Sequence, residues 1–466
     1  MISVKPILKL ILVLCITSVS FVTQAQATNL TLMWKYKTDD YMDVSDTSSS
    51  PCLEDIDGDG RLEIFIGSKD GCMYAFKYNG TLLWKFKTNG GIASSPAVVD
   101  INSDGKYEVV FGSCDGNLYV IDAKSGKLVW KFTVDEPSEK WNDIITSPAI
   151  ADINGDSSLE IVFASFNGKV YAIKENGTVL WEYDVKKDLS LILWLKMIII
   201  HKSLKFGIGM VSSPSLADVN GDGYMEVFIG SRMKTVFALS GKDGHLLWKY
   251  EAKYDLDSSP AIADIDKDGE LEVIIGSGEV PPKRSIFSID FYGSSDNTIY
   301  VFDGKSGRIE WKYQTGGGLD ASPTVADIDN DGYLEIIEGT LLDRSIYALN
   351  HDGSLLWKFQ TGGCIYSTAA VADVNGDGKL EVVVGSKDGN LYILNGSNGD
   401  FLTKYVAEGR VCSSPAVADI DGDGRLEIVF GGGKSVYVLK TEGRSETPWK
   451  MYKHDPQHTG LYSAGI

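Results

Sequence analysis

The side chains best suited to chemistry in this chain are acids held at a fixed spacing. Asp55-Ile56-Asp57-Gly58-Asp59-Gly60-Arg61-Leu62-Glu63 puts carboxylates at positions 1, 3, 5 and 9 and a glycine at position 6. Alternate side chains converge on one point only if the backbone curls tightly, and the glycine permits that turn. Carboxylates packed within a few ångströms repel one another strongly unless a cation lies between them. Hard oxygen ligands on a flexible loop suit Ca²⁺, which accepts about six to eight oxygens, better than Mg²⁺ with its strict octahedron. With the backbone carbonyl of Arg61, the segment offers five ligand groups. It is not an EF-hand, because position 12 is Ile66 where that loop needs a glutamate.

The ligand set recurs along the chain as Asp55, Asp57, Asp59 and Glu63, then Asp100, Asn102, Asp104 and Glu108, then Asp152, Asn154, Asp156 and Glu160. Next come Asp218, Asn220, Asp222 and Glu226, followed by Asp264, Asp266, Asp268 and Glu272. The last three are Asp327, Asp329, Asp331 and Glu335, Asp373, Asn375, Asp377 and Glu381, and Asp419, Asp421, Asp423 and Glu427. The third set is expected to be the weakest, since Ser157 replaces its turn glycine. These loops hold 28 of the 64 acidic residues in a chain of net charge −20. Loss of Lys5 and Lys9 with a leader takes that charge to −22, and eight Ca²⁺ would bring it to −6. The surplus of acid over base excludes a phosphate-binding surface of the kind nucleic acid needs.

Elements must hold these loops in place, and the spacing names them. Successive first aspartates lie 45, 52, 66, 46, 63, 46 and 46 residues apart, so the unit is about 46 residues long. Each unit reads as four short strands. Pro415-Ala416-Val417-Ala418 leads into the acidic loop and Leu426-Glu427-Ile428-Val429-Phe430 leads out of it. A Gly turn, a third strand such as Leu391-Tyr392-Ile393-Leu394, and a fourth such as Leu355-Leu356-Trp357-Lys358-Phe359 complete the pattern. Four antiparallel strands repeated eight times predict an all-β, eight-bladed β-propeller spanning 28–440. The fourth-strand tryptophan appears at Trp34, Trp84, Trp130, Trp181, Trp248, Trp311 and Trp357, with Thr403 in its place in the seventh unit. The eighth unit lacks a fourth strand, and Leu32-Met33-Trp34-Lys35-Tyr36 near the start is expected to supply it and remove the open edge.

Residues 1–27 read as a signal peptide. Lys5 and Lys9 precede the apolar run Leu10 to Val22, and Ala25-Gln26-Ala27 offers a small-residue cleavage site. The protein is therefore expected to be exported, either secreted or held at the cell surface, and to be a monomer. Cys52, Cys72, Cys114, Cys364 and Cys412 are sparse and odd in number, so one or two incidental disulfides with a thiol left over are expected. The apolar segment Leu189 to Ile200 is too short to span a bilayer and too apolar for an ordinary exposed loop, so it is expected to dock peripherally on a membrane or partner, to fold back over the propeller, or to be a local sequence anomaly. Residues 441–466 read as a C-terminal tail. Its His454 and His458 are separated by Pro456, which favours packing over a zinc site. His201, His245 and His351 read as isolated surface residues.

The acidic repeat resembles the FG-GAP calcium-loop propeller repeat. Asp122-Ala123-Lys124-Ser125-Gly126-Lys127-Leu128-Val129-Trp130, echoed at Asp303 to Trp311, resembles the tryptophan-docking motif of quinoprotein-like (PQQ-repeat) eight-bladed propellers. The ending Pro448 to Gly460 is similar to a tail segment of secreted prokaryotic PQQ-like repeat proteins. The resemblance implies Ca²⁺ at up to eight loops. It does not imply PQQ, because quinoprotein dehydrogenases carry a vicinal cysteine pair near the cofactor and this chain has none.

The unit lengths vary in one way. Long connections precede the first, third and fourth acidic loops, and Gly278 to Asn297 is inserted between the second and third strands of the fifth unit. In an antiparallel blade all four emerge on the face opposite the acidic loops. Tyr41, Trp141, Phe291 and Tyr292 lie in these segments and are of the type that binds partners or sugar rings. The expected function is a non-catalytic binding or assembly module that recognises a protein or glycan through that face. The competing expectation is a secreted enzyme on the same scaffold, either a polysaccharide lyase or a PQQ-dependent dehydrogenase. No non-repeated catalytic constellation stands out in the sequence to support it.

Overall fold

The structure, a computed structural model, describes residues 29–44, 47–134, 143–188, 209–278, 297–444, 447 and 449–462. Eight antiparallel four-stranded sheets form the blades. The first runs outward from the axis as Cys52–Glu54, Glu63–Gly67, Cys72–Phe76 and Leu82–Lys87. The next three run from Ala97–Val99 to Leu128–Thr133, from Ala149–Ala151 to Val179–Asp184 and from Ser215–Ala217 to Leu246–Glu251. Blades five to seven run from Ala261–Ala263 to Ile309–Gln314, from Thr324–Ala326 to Leu355–Gln360 and from Ala370–Ala372 to Phe401–Val406. Among the described residues the only helical segment is the 3-10 turn Val185–Asp188.

Burial explains why the strands read as they do. Second strands such as Glu63–Gly67 are buried throughout, because neighbouring blades cover both faces, and they are continuous apolar runs. Fourth strands such as Leu246–Glu251 alternate between half-buried and exposed, with one face in water.

The eighth blade consists of Ala416–Ala418, Glu427–Gly432, Ser435–Lys440 and, as its outer strand, Thr31–Lys37. The register runs from Thr31 opposite Lys440 to Lys37 opposite Ser435, with a bulge between Leu32 and Trp34. The strand expected to close the ring does so.

A second closure lies near the axis. The N–H of Ser50 donates to Ser95 Oγ, that of Ser95 to Ser147, Ser147 to Ser213 and Ser213 to Ser259. The series continues through Ser322, Thr368 and Ser414 and returns to Ser50, with all eight bonds between 2.8 and 3.2 Å. The residues just before the innermost strands thus form an unbroken ring of amide–hydroxyl bonds.

The tail fills the axis. Carbonyls of Trp449, Lys450, Pro456, Gln457, Thr459 and Gly460 accept from the N–H groups of Val371, Val417, Val98, Ile150, Leu216 and Ile262 at 2.7–3.0 Å. Each donor is the middle residue of an innermost strand, in blades seven, eight, two, three, four and five. Buried donors left without acceptors would be costly, and the tail satisfies them. Trp449 stacks on Tyr462 with ring centroids 6.4 Å apart, and His454 packs against both, so the segment makes a full circuit inside the ring. Lys453 is buried, and its Nζ donates to Ser213 O, Pro214 O and Ser215 Oγ. His458 is buried with Nδ1 3.2 Å from Pro148 O, so it packs, as the proline spacing suggested.

The expected incidental disulfides are not formed. Cys52, Cys72, Cys114, Cys364 and Cys412 make none. Cys52 and Cys72 sit on different strands of the first blade, Cys114 is in the second, and Cys364 and Cys412 precede the seventh and eighth.

Candidate functional site

Each acidic loop joins the first and second strands of its blade, so all eight lie on one face. In the first loop, Asp55 Oδ1 accepts from the N–H of Gly58 at 2.7 Å and Oδ2 from Gly60 at 2.8 Å. Asp59 Oδ1 accepts from Arg61 at 2.9 Å. Gly60 has φ +81°, the left-handed conformation that winds the loop back on itself. In the third loop Ser157 takes the same conformation at φ +70°, and its N–H reaches Asp152 Oδ2 at 2.8 Å. The substitution strains the third loop without changing its course.

The position-9 glutamates anchor the loops from beneath. Every one accepts from the N–H of loop position 2, from Ile56 to Glu63 at 3.3 Å through to Ile420 to Glu427 at 3.1 Å. All eight are buried. Burial first, with the neighbouring aspartates adding to it, pushes Glu63, Glu108, Glu160, Glu226 and Glu427 up to about 7. Glu272, Glu335 and Glu381 are pushed up to about 8. A cation among the loop oxygens would reverse that shift.

Position 3 divides the loops into two kinds. Where it is aspartate, the carboxylate oxygens of Asp55, Asp57 and Glu63, of Asp264, Asp266 and Glu272, of Asp327, Asp329 and Glu335, and of Asp419, Asp421 and Glu427 lie within 4.8 Å of one another. Asp264 Oδ1, Asp327 Oδ1, Glu335 Oε1 and Glu427 Oε1 are buried without a hydrogen-bond partner. In three of the four loops where position 3 is asparagine, the amide partly satisfies the loop from within. Asn154, Asn220 and Asn375 each donate to Oε1 of the loop glutamate at 2.9 Å. Orphaned oxygens facing a ring of carboxylates fit a hard cation, and they occur in the fifth, sixth and eighth blades.

The opposite face carries what does not repeat. The long connections after Lys37, Thr133 and Asp184 and between Ser277 and Thr298 all emerge there, as the antiparallel order requires. Tyr41 is exposed there, with Lys434 Nζ 4.7 Å from its ring centre. Trp141, Phe291, Tyr292 and the apolar segment 189–200 lie outside the described residues. The sequence reading missed a polar group on this face. Arg232 forks onto buried Asp257, with Nε 3.0 Å and Nη2 2.9 Å from Oδ2. Glu338 is buried with neither oxygen hydrogen-bonded, and burial, then the charge of Asp320, holds its pKa well above the carboxylate range. The signal was available: the equivalent second-strand positions are Ile66, Phe111, Phe163, Ile229, Ile275, Val384 and Phe430. Of the isolated histidines, His245 is exposed and His351 is half-buried against Tyr333.

Comparison with known proteins follows the same lines. Residues 218–275 and 373–430 match the FG-GAP-like repeat, and residues 31–190 match the family described as outer membrane protein assembly factor BamB. A stretch of 49 residues is 39% identical to 1-butanol dehydrogenase (quinone) of Thauera butanivorans, covering 10% of this chain and only 8% of that enzyme. BamB from Moraxella catarrhalis superposes with a TM-score of 0.57 at 17% identity, over 90% of this chain and 99% of that one. The V. cholerae biofilm matrix protein Bap1 gives 0.61 at 16%, over 91% and 92%. The quinohemoprotein alcohol dehydrogenase of Comamonas testosteroni gives 0.60 at 14%, over 90% and 77%. At these identities the superpositions establish the fold alone.

Proposed function

We propose that this chain, a PQQ-like and FG-GAP-repeat β-propeller of eight blades, is an exported, calcium-stabilised binding or assembly module. The observation that carries the reading is the contrast between its faces. One face repeats a single cation-ready loop eight times. The other carries all four long connections, exposed Tyr41, the Arg232–Asp257 pair and buried Glu338. Uniform loops serve the scaffold, whereas embellished loops on a rigid scaffold serve recognition. The ligand is a protein or glycan, met by aromatic side chains including those at 141, 291 and 292. Export follows from the leader. The relatives titled assembly factor and biofilm matrix protein are consistent with a role in binding.

The loop side chains at positions 1, 3, 5 and 9 would hold Ca²⁺, whose charge would screen carboxylates that otherwise repel. The residues present do not suit a planar quinone cofactor. The axis, where all eight blades could wall such a group, is filled by residues 449–462. No two cysteines are adjacent in the sequence.

The test is retention of intact protein, in millimolar calcium, on a glycan array and on cell-surface material. Replacing Trp141 and Tyr292 together should abolish retention, and unchanged retention would count against the binding face. A chromophore acquired on adding PQQ, or unsaturated products from pectic glycans, would replace the module with an enzyme.

A further inference from the structure

One acidic loop already contains a cation. Lys440 ends the third strand of the eighth blade, in register opposite Glu427. Its Nζ lies 2.9 Å from Asp421 Oδ2, 3.3 Å from Asp423 Oδ2 and 3.8 Å from Glu427 Oε1. These are positions 3, 5 and 9 of the loop, three of its four side-chain ligands. The same register holds Asp122 in the second blade, Lys174 in the third, Ser240 in the fourth, Asp303 in the fifth and Asn395 in the seventh. Among the described residues, no other lysine or arginine reaches three ligand positions of a loop. Lys106, the nearest case, touches Asp104 alone, at 3.3 Å.

We propose that Lys440 is a tethered counter-cation that occupies the eighth loop whenever metal is absent, so that Ca²⁺ must displace it and enters this loop last. The proposal rests on the calcium reading above. The ammonium group hydrogen-bonds Asp421 and Asp423 and acts on Glu427 through charge alone, and it supplies positive charge with no loss of freedom beyond its own stem. It cannot stay when a divalent ion arrives, because two cations sharing one ligand cage repel strongly at that range. The position matters for the ring. Lys440 lies opposite Thr31 across the seam that closes the propeller. The seam blade therefore keeps its loop compensated at calcium levels that leave the fifth and sixth loops uncompensated.

The experiment compares wild type with Lys440→Met, which keeps the stem and removes the charge, and with Lys440→Gln as a second variant. Calcium retained per chain is measured by elemental analysis after dialysis against a series of free calcium concentrations. Melting is recorded in EDTA and in saturating calcium. Both variants should hold about one more ion at intermediate calcium, through a site tightened at least about tenfold. They should melt below wild type in EDTA and level with it in saturating calcium. Lys174→Met, at the equivalent register but forming no ion pair with its loop among the described residues, should shift both curves less than Lys440→Met does. Superimposable calcium curves and equal melting in EDTA overturn the proposal while leaving the calcium reading intact. If none of the proteins retains calcium at any concentration, the calcium reading falls, and displacement falls with it.

Discussion

The indole of Trp34 rests on Gly80, where an added Cβ would stand 2.8 Å from the ring, and its Nε1 donates to Tyr78 O at 2.7 Å. The contact repeats around the ring, each fourth-strand tryptophan meeting a turn glycine of the next blade, from Trp84 on Gly126 to Trp357 on Gly399. Each such turn links a third strand to a fourth. The eighth blade has no such turn, because its fourth strand is Thr31–Lys37. A tryptophan at 403 would have nothing to rest on. The substitution at Thr403 and the non-sequential seam are two sides of one fact.

Gly399→Ala should therefore destabilise the protein by about 1–3 kcal/mol, since its φ is +71° and the new methyl would meet Trp357 at 2.7 Å. Thr403→Trp should give no gain in thermal melting. An increase matching the cost at Gly399 would show that the platform is not needed.

Calcium should raise the melting temperature, and the aspartate loops with orphaned oxygens should supply most of the rise. Asp329→Asn, by relieving repulsion and replacing a charged ligand with a neutral one, should leave melting in EDTA unchanged or higher. It should shrink the increment given by millimolar calcium, where a site at about a hundred times its Kd contributes about 2.7 kcal/mol. A full increment in the variant would show that the charge at position 3 does not strengthen cation binding in the sixth loop.

Without calcium, stability should fall as pH rises. The loop glutamates move from an ordinary 4.5 to about 7 or 8 on folding, so the folded chain binds more protons than the unfolded one across that window. That contribution is fully present below pH 4.5 and is lost as pH climbs through the folded values. Melting in EDTA should drop between pH 5 and 8.5, whereas calcium-loaded protein should not follow it. At pH 6.5 calcium uptake should release protons, measurable by calorimetry in buffers of different ionisation heat.

The tail makes the opposite demand at low pH. Burial pushes His458 from an ordinary 6.5 down to about 4, so the unfolded chain binds the extra proton between those values. Stability is lost as pH falls through that range, by roughly 3 kcal/mol. Gly460→Ala should cost about 1–3 kcal/mol, because φ is +70° and the methyl would meet Ser215 Oγ at 2.7 Å. A chain ending at residue 447 strips six inner-strand N–H groups of their acceptors, at about 0.5–1.5 kcal/mol each, and should melt far lower. Unchanged melting would mean that the axis does not need its filling.

Repetition is why the blades, the seam and the loops could be read from the chain before any coordinates. Eight copies of one pattern average out local ambiguity, and a missing fourth strand at one end matches a spare strand at the other. Two of the features that escaped, Glu338 and the tail, occur once each. Glu338 is a single acid where the other seven blades carry Ile, Val or Phe, a departure that aligning the repeats marks and that its burial makes meaningful. The tail bonds through backbone carbonyls, which no residue type announces. Asparagine and aspartate at position 3 looked equivalent as oxygen donors, and only the amide of Asn220 reaching Glu226 at 2.9 Å separates them. The disulfide expectation failed because the fold places the five cysteines on separate strands and connections and pairs none of them.

The circle of amide–hydroxyl bonds through Ser50 and Ser414 has no first or last member. A linear array can unravel from a terminus, but a cyclic one opens only by breaking two contacts with its neighbours at once. The amide protons of Ser50, Ser95, Ser147, Ser213, Ser259, Ser322, Thr368 and Ser414 should therefore exchange with solvent deuterium in unison, at the rate of global opening.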